Sequence, residues 1–424
     1  MTESRRVRRL IGPIDRQVAV PGSKSIANRV LACAALADGA STLSDVPDGD
    51  DTTAMVGCLR TLGLRVEVDD DRVLLHGTGT NWTSAPHTLF AELAGTTSRF
   101  VTAMAALGSS PITIDGHPPL RARPFGPLHE ALRQLGVEVS PGETFGNLPV
   151  TVTGPPTSGR VEIRGDVSSQ YVTALMLIGP ALPGGLDLTL TTPLISRPYV
   201  EMTAAVMGWF GFTEVEIADR HIRVGAGSYG PADVTIEPDA SSASYPLALA
   251  AVCGGTVTVP GLGAGALQGD ARFADVLGEM GCTVARDDTA VAVTGSGDLR
   301  GVDIDMADIS DLVPTVAVVA AFASSPTRIR GVGFIRGKES DRLGDLASEL
   351  QRAGVDVDET DDGLLVRPSS ALVRAARLGT HHDHRLAMAF GVLGSAVDGI
   401  VVDDPGVVSK SWPGFWTMLE GLHA

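Results

Sequence analysis

Five stretches of the chain share one pattern of apolar and polar positions: an amphipathic helix ending in glycine, then alternating residues that read as a β-hairpin. They are LRTLGLRVEVDDDRVLLHG, LRQLGVEVSPGETFGNLPVTVTG, MGWFGFTEVEIADRHIRVG, LGEMGCTVARDDTAVAVTG and LQRAGVDVDETDDGLLVRP. Their glycines, Gly63, Gly136, Gly211, Gly281 and Gly354, recur every 70 to 75 residues, and each is expected at a helix C′ position with positive φ. A sixth helix, FWTMLEGLHA, reaches the C-terminus with no hairpin after it. The alternating stretch from Val7 to Val20 is expected to supply that missing strand pair, which would bring the chain ends together.

A second series of helices keeps the same period. They begin near Ser25, Thr97, Ser169, Ser242, Asp311 and His384, and sequences such as SKSIANRVLACAALADG and DLVPTVAVVAAFA have no polar face to offer water. These helices are expected inside, with Ser, Thr or Asp at five of the six starts capping free backbone N–H groups. The unit reads strand, helix, strand, helix, two strands, six times over. The expected fold is therefore α/β (α+β), two domains of three βαβαββ repeats around buried parallel helices. Residues 21–239 are expected to form one domain, and residues 1–20 with 240–424 the other, with the second crossing near IEPDASSASYP.

Composition narrows the function. With 44% hydrophobic residues among 424, the chain can bury a core in each domain, which excludes disorder. The net charge of −17, from 33 basic and 50 acidic residues, disfavours nucleic acid and anionic membrane as partners. The acidic residues crowd hairpins such as VEVDDDR, VDVDETDD and VARDD, so the net charge does not exclude a small anion held in a cationic cleft. Cys33, Cys58, Cys253 and Cys282 form no CxxC pair and read as core residues in a reducing compartment. No apolar run approaches the ~20 residues that span a bilayer, and MTESRRVRRL leads into Gly12, Pro13 and Asp15 instead of an apolar segment. A cytoplasmic protein without a signal peptide is expected.

The candidate chemistry gathers at two recurring places. At the starts of buried helices stand Lys24, Ser25 and Arg29 in PGSKSIANR, Gly95, Thr96, Thr97, Ser98 and Arg99 in AGTTSR, and Ser168, Ser169 and Gln170 in VSSQY. In the turns before outer helices stand Arg121 and Arg123 in RARP, Ser196, Arg197 and Tyr199 in SRPY, and Lys338, Glu339, Asp341 and Arg342 in GKESDR; Arg385 and Lys410 follow in HHDHR and SKSWP. Free N–H groups and the helix dipole favour anions at helix N-termini, so repeat-equivalent cations there point to a highly charged ligand. PGSKS lacks the upstream glycine of a phosphate-binding Walker loop, which disfavours a nucleotide-dependent phosphotransferase. His381, His382, Asp383 and His384 have no distant partner set, and no metal is expected.

PGSKSIANR, AGTTSR, RARPFG, VSSQY, SRPY, DASSASY, KESDR, DHR and SK-x-W occur in one order from Pro21 to Lys410, and together they resemble the EPSP synthase family of enolpyruvyl transferases. The resemblance implies an enolpyruvyl transferase-like fold and transfer of the enolpyruvyl group of phosphoenolpyruvate to the 5-hydroxyl of shikimate 3-phosphate in the shikimate pathway. It implies Lys24, Asp311 and Glu339 as the proton-transfer groups. Lys24, Gly95, Arg123, Gln170, Arg342, Arg385 and Lys410 would hold phosphoenolpyruvate. Lys24, Ser25, Arg29, Ser168, Ser169, Gln170, Ser196, Tyr199, Asp311 and Lys338 would hold shikimate 3-phosphate. No cofactor and no macromolecular partner are implied, and a monomer is expected. The related transferase acting on a uridine sugar has Asn after the first lysine and a reactive loop cysteine, where this chain has Ser25 and no Cys between Cys58 and Cys253.

Two phosphates and two carboxylates bring about −5 to −6 charges, with phosphates at roughly −1.5 to −2 each, so the seven cations Lys24, Arg29, Arg123, Lys338, Arg342, Arg385 and Lys410 suit them. Without ligand, such cations are expected to repel one another, and Asp311 and Glu339 among them are expected to stay ionised unless burial intervenes. Three positions depart from the family pattern: Leu93 for Asn, Phe100 for Pro, and Phe334 for Asn. Either these are repacking changes or the chain binds phosphorylated acids without turnover; retention of every charged group favours the enzyme. The Leu93 and Phe100 changes flank Gly95, where glyphosate, the phosphoenolpyruvate competitor that targets this family, would bind if the resemblance holds.

Overall fold

The computed structural model describes residues 3–81 and 87–423. The chain divides into a first unit, Gly22–Ile236, and a second, Met1–Pro21 with Glu237–Ala424. Residues 1, 2 and 424, the ends of the expected domain 1–20 with 240–424, lie outside those described. The crossings fall one and three residues from the expected places, and local hydrogen bonds explain the larger difference. Glu237 accepts from Leu267 N at 3.1 Å and Gln268 Nε2 at 2.8 Å, and Asp239 N donates to Pro21 O at 2.8 Å, which ties 237–239 to the second unit.

The first unit contains three four-stranded sheets of one design. In two of them, two parallel strands joined by a crossover are followed by an antiparallel hairpin. One sheet runs Arg160–Ile163, Leu186–Leu190, His221–Val224, Val215–Ile217, and another His87–Phe90, Ile112–Asp115, Val150–Thr153, Glu138–Pro141. In the third, Asp233–Thr235 from the unit's end lies parallel to Asp38–Ser44 and so closes the unit. The crossovers of the first two carry the buried helices α2 (Gly95–Ala105) and α3 (Ser169–Ile178), and the buried helix α1 (Lys24–Leu36) leads into Asp38–Ser44 of the third.

The second unit repeats the design around α4 (Ala240–Cys253), α5 (Val313–Ala320) and α6 (His384–Ala396). Its N-terminal segment does not form the expected strand pair. Ser4–Arg6 pairs antiparallel with Val401–Asp403, whereas Ile14–Gln17 pairs parallel with Gly255–Pro260 in a different sheet. Alternation shows that strands exist but not their partners, and here one strand completes the last repeat while the other opens the fourth. The last sheet accordingly has three strands.

All five repeat glycines have positive φ, from +79° at Gly211 to +106° at Gly281. Each closes a Schellman motif: Gly63 N bonds Arg60 O and Leu64 N bonds Leu59 O, and the same pair of bonds recurs at Gly136, Gly211, Gly281 and Gly354. The apolar residue after each glycine, such as Val137 or Val355, turns back into the core. Away from their starts, hydroxyls on the buried helices bond locally: Thr102 Oγ1 donates to Ser98 O at 2.6 Å and Ser395 Oγ to Gly391 O at 2.9 Å.

Helix starts differ from expectation in detail. Side-chain caps come from Ser23, Ser168, Asp239 and Asp383, while α2 starts at Gly95 after Ala94 with no side-chain cap, so Thr97 lies within it. Asp311 lies in a 3₁₀ turn, Ala307–Leu312, broken at Ile309 (φ −131°, ψ 37°), and α5 begins after it with Pro314 in its first turn.

Candidate active site

In the first unit the starts of α1, α2 and α3 are stitched together by side chains. Lys24 Nζ lies 3.2 Å from Asp51 Oδ2, with both side chains largely withdrawn from water. Thr97 Oγ1 donates to Asp51 O at 2.8 Å, which links α2 to the first turn of the outer helix Asp50–Thr61 that also answers Lys24. Gln170 joins α3 to α2, donating from Nε2 to Thr96 Oγ1 at 3.1 Å and accepting from Arg99 Nη1 at 2.6 Å. Gly95 lies beneath two guanidinium groups: a Cβ there would meet Arg123 Nη1 at 2.6 Å and Arg99 Nη1 at 2.9 Å.

Arg29 is 2% exposed and donates to Thr203 Oγ1, Ser25 O, Thr173 Oγ1 and Tyr199 O. It thereby orients Ser25 and Tyr199, and burial lowers its pKa to about 10. Ser168 caps α3 by accepting from Gln170 N at 3.3 Å, and Ser169 is buried beside it. Ser196 precedes the helix Arg197–Trp209 in the left-handed region at φ +53°, a strained conformation for a non-glycine residue.

In the second unit, one buried arginine organises the site. Arg342 donates Nη1 to Asp311 Oδ1 at 2.8 Å, Nη2 to Glu339 Oε2 at 2.6 Å and Nε to Asp383 Oδ2 at 2.6 Å. Arg385 Nη2 donates to the other Asp311 oxygen at 2.6 Å. Burial alone would raise the Asp311 pKa, but the charges of Arg385, Arg342 and Lys338 outweigh it and hold the carboxyl well below the usual range. Burial would likewise lower the Arg342 pKa, and Asp383, Glu339 and Asp311 raise it above the ordinary arginine value. Lys338 follows the 3₁₀ turn Gly333–Gly337, and Lys410 is buried at the end of Pro405–Lys410.

The structure thus joins Asp311, Glu339, Arg342 and Arg385 in one network, and Gly95, Arg123 and Gln170 around Arg99. Lys24 belongs to the first unit, whereas Asp311 and Glu339 belong to the second. Of the seven cations expected to repel one another, Lys24, Arg342 and Arg385 are paired within their own units with Asp51, Asp311, Glu339 and Asp383. Asp51 is the counter-ion that sequence reasoning missed; in DGDDT it looks like a carboxylate serving a helix N-terminus. Asp383 was legible only within HHDHR, yet it caps α6 by accepting from Arg385 N at 2.8 Å. His381 turns to Glu349 and His382 to Asp404, and among the described residues no group of three or more His, Cys, Asp or Glu is placed to hold a metal ion.

Two of the three departures have packing roles. Phe100 is 1% exposed with the Arg29 guanidinium 5.6 Å above its ring, and Phe334 lies 5.9 Å from Lys338 Nζ. Leu93 is 43% exposed. The four cysteines are free thiols, and burial pushes Cys58 and Cys253 up to about 12. Among the described residues no helix is long and apolar enough to cross a membrane.

Residues 9–419 match the family model of EPSP synthase (3-phosphoshikimate 1-carboxyvinyltransferase). The chain is 40% identical over 409 residues to the 3-phosphoshikimate 1-carboxyvinyltransferase of Nostoc punctiforme, covering 96% of each protein. It is 41% identical over 413 residues to the protein of the same name from Methanoculleus marisnigri, covering 97% of each. In fold it resembles EPSP synthase from Acinetobacter baumannii, with a TM-score of 0.83 at 23% identity over 99% of this chain and 98% of that one. The enolpyruvyl transferase NikO from Streptomyces tendae shares the fold, with a TM-score of 0.77 at 19% identity over 100% of this chain and 98% of its own. With this coverage and identity, the chain belongs to the EPSP synthase family.

Proposed function

We propose that this chain transfers the enolpyruvyl group of phosphoenolpyruvate to the 5-hydroxyl of shikimate 3-phosphate, releasing phosphate and forming 5-enolpyruvylshikimate 3-phosphate for aromatic amino-acid biosynthesis. One observation carries the mechanistic reading: the Asp311 carboxylate is kept ionised between Arg342 and Arg385, with Glu339 on the same Arg342. A base and the cations that would hold an anion are therefore built as one device. Phosphoenolpyruvate competes for those guanidinium N–H groups, and as they turn to it Asp311 becomes available to accept a proton.

In this reading the 5-hydroxyl oxygen attacks C2 of phosphoenolpyruvate as Asp311 takes its proton, and the methylene carbon gains a proton from Lys24 or Glu339. Loss of one proton from the new methyl group then restores the double bond as the C–O bond to phosphate breaks. Arg123, Arg342, Arg385 and Lys410, with Gly95 and Gln170, hold phosphoenolpyruvate; Ser25, Arg29, Ser168, Ser169, Gln170, Ser196, Tyr199 and Lys338 hold shikimate 3-phosphate. The two units serve as the two domains. No step calls for a metal or organic cofactor.

We also read the protein as a cytoplasmic monomer. Four free thiols suit a reducing compartment, and the exposed large apolar residues, such as Ile11, Trp209 and Leu372, are scattered along the chain. Incubation with both substrates and a chelator should release inorganic phosphate. No release, or release only with the uridine sugar as acceptor, overturns the assignment.

A further inference from the structure

Behind the Asp311 network lies a carboxyl group that the reaction just described does not use. Asp270, 2% exposed, sits in the 3₁₀ turn Gly269–Arg272, which packs against the turn Ala307–Leu312 that carries Asp311. Ser241, in the first turn of α4, donates its hydroxyl to Asp270 Oδ2. At the rim, Arg272 Nη1 and Asp308 Oδ2 join the same two turns at 4.0 Å. The groups acting on Asp270 are Asp239 and Ser241 from the start of α4, Asp311 from the adjoining turn and Arg385 from α6, while the helix Phe273–Glu279 that follows the turn carries its own charges, Asp275 and Glu279, exposed.

We propose that Asp270 is a positioning residue of the second unit's site, a protonatable carboxyl held by Ser241 whose ionisation weakens the hold of Arg385 on phosphoenolpyruvate. This inference rests on the function proposed above. Neutral, Asp270 leaves Arg385 to Asp311 and to an incoming anion. Ionised, it places a second negative charge near Arg385 and Asp311, where burial leaves little water to screen it. Burial first, and then the Asp311 charge, raise its pKa to about 7, while the Ser241 hydroxyl and Arg385 oppose the shift. The change of state therefore falls near neutral pH.

The sign of the effect on stability follows by linkage. The folded state holds a proton on Asp270 that the unfolded chain, near the ordinary aspartate value of 3.8, has lost. Wild-type stability is then lost as pH rises from about 4 to about 7, and an Asp270→Asn variant escapes that loss. The melting temperature of Asp270→Asn minus that of wild type should grow between pH 5 and pH 8, and a difference flat with pH overturns the proposal.

The kinetic arm uses the wild-type/variant ratio of KM for phosphoenolpyruvate, in which the substrate's own ionisation cancels. That ratio should be near 1 at pH 6 and rise to about three- to tenfold at pH 8.5, tenfold being the effect of one pKa unit; a constant ratio overturns the proposal. Ser241→Ala, by removing a hydroxyl that lowers the Asp270 pKa, should move the wild-type midpoint upward and serves if the Asn variant does not fold; an unmoved midpoint counts against the proposal. Wild-type protein that releases no phosphate would overturn the proposed function, while the melting comparison would still decide whether Asp270 ionises as stated.

Discussion

Arg342 and Asp383 form an ion pair withdrawn from water on both sides: Nε lies 2.6 Å from Oδ2, with 2% of one side chain exposed and none of the other. Removing one member of such a pair leaves a buried charge uncompensated, and Asp383 also caps α6. Asp383→Ala should lower stability by about 3–5 kcal/mol, as removal of one partner from a buried pair does. By contrast, Asp358→Ala breaks a pair with Arg367 whose side chains are 59% and 38% exposed, and it should change stability far less. Urea unfolding of the two variants checks the contrast, and equal losses would refute it.

Turnover should depend on Lys24 and Asp311. Lys24→Met and Asp311→Ala are each expected to reduce kcat by roughly 10²–10⁴-fold, the scale of a lost proton-transfer group. Circular dichroism should show both folded. Near-normal phosphate release from either variant removes that residue from the proposed chemistry.

Gly95→Ala should act on one substrate more than the other. The new methyl group meets the ends of the Arg123 and Arg99 side chains, which are flexible and can move aside, so the fold should persist. Moving Arg123 enlarges KM for phosphoenolpyruvate by about tenfold, equivalent to about 1.4 kcal/mol, with a smaller change for shikimate 3-phosphate. Steady-state kinetics with each substrate varied in turn measures the split.

His129 should make the first unit sensitive to acid. It is fully buried, its ring stacked on Phe125 at 6.0 Å and edge-on to Phe145 at 5.8 Å, and burial followed by the nearby Arg133 charge lowers its pKa to about 4. The unfolded chain, near 6.5, binds a proton that the folded state does not, so this stability is present above pH 6.5 and is lost as pH falls toward 4. The loss amounts to about 3 kcal/mol at 1.36 kcal/mol per pKa unit. Thermal melts of His129→Phe should show a smaller fall between pH 7 and pH 4.5 than wild type.

Periodicity reported the repeat because each repeat must bury one helix on all sides and another on one face, and those demands are written residue by residue. The glycines at 63, 136, 211, 281 and 354 were legible for a similar reason: a Schellman turn needs positive φ, and glycine meets that need locally. The cations could be singled out because they stand either at the starts of buried helices or in the turns before outer ones.

By itself the sequence determined the repeat, the two kinds of helix and the places where charge collects, all of which follow from interactions within a few turns of chain. Tertiary structure decided pairing. Ser4–Arg6 and Ile14–Gln17 go to different sheets, Asp51 answers Lys24, and Asp383 answers Arg342 across 41 residues. Such choices depend on which distant groups share a dry space, since a buried charge is tolerated only beside its counter-charge.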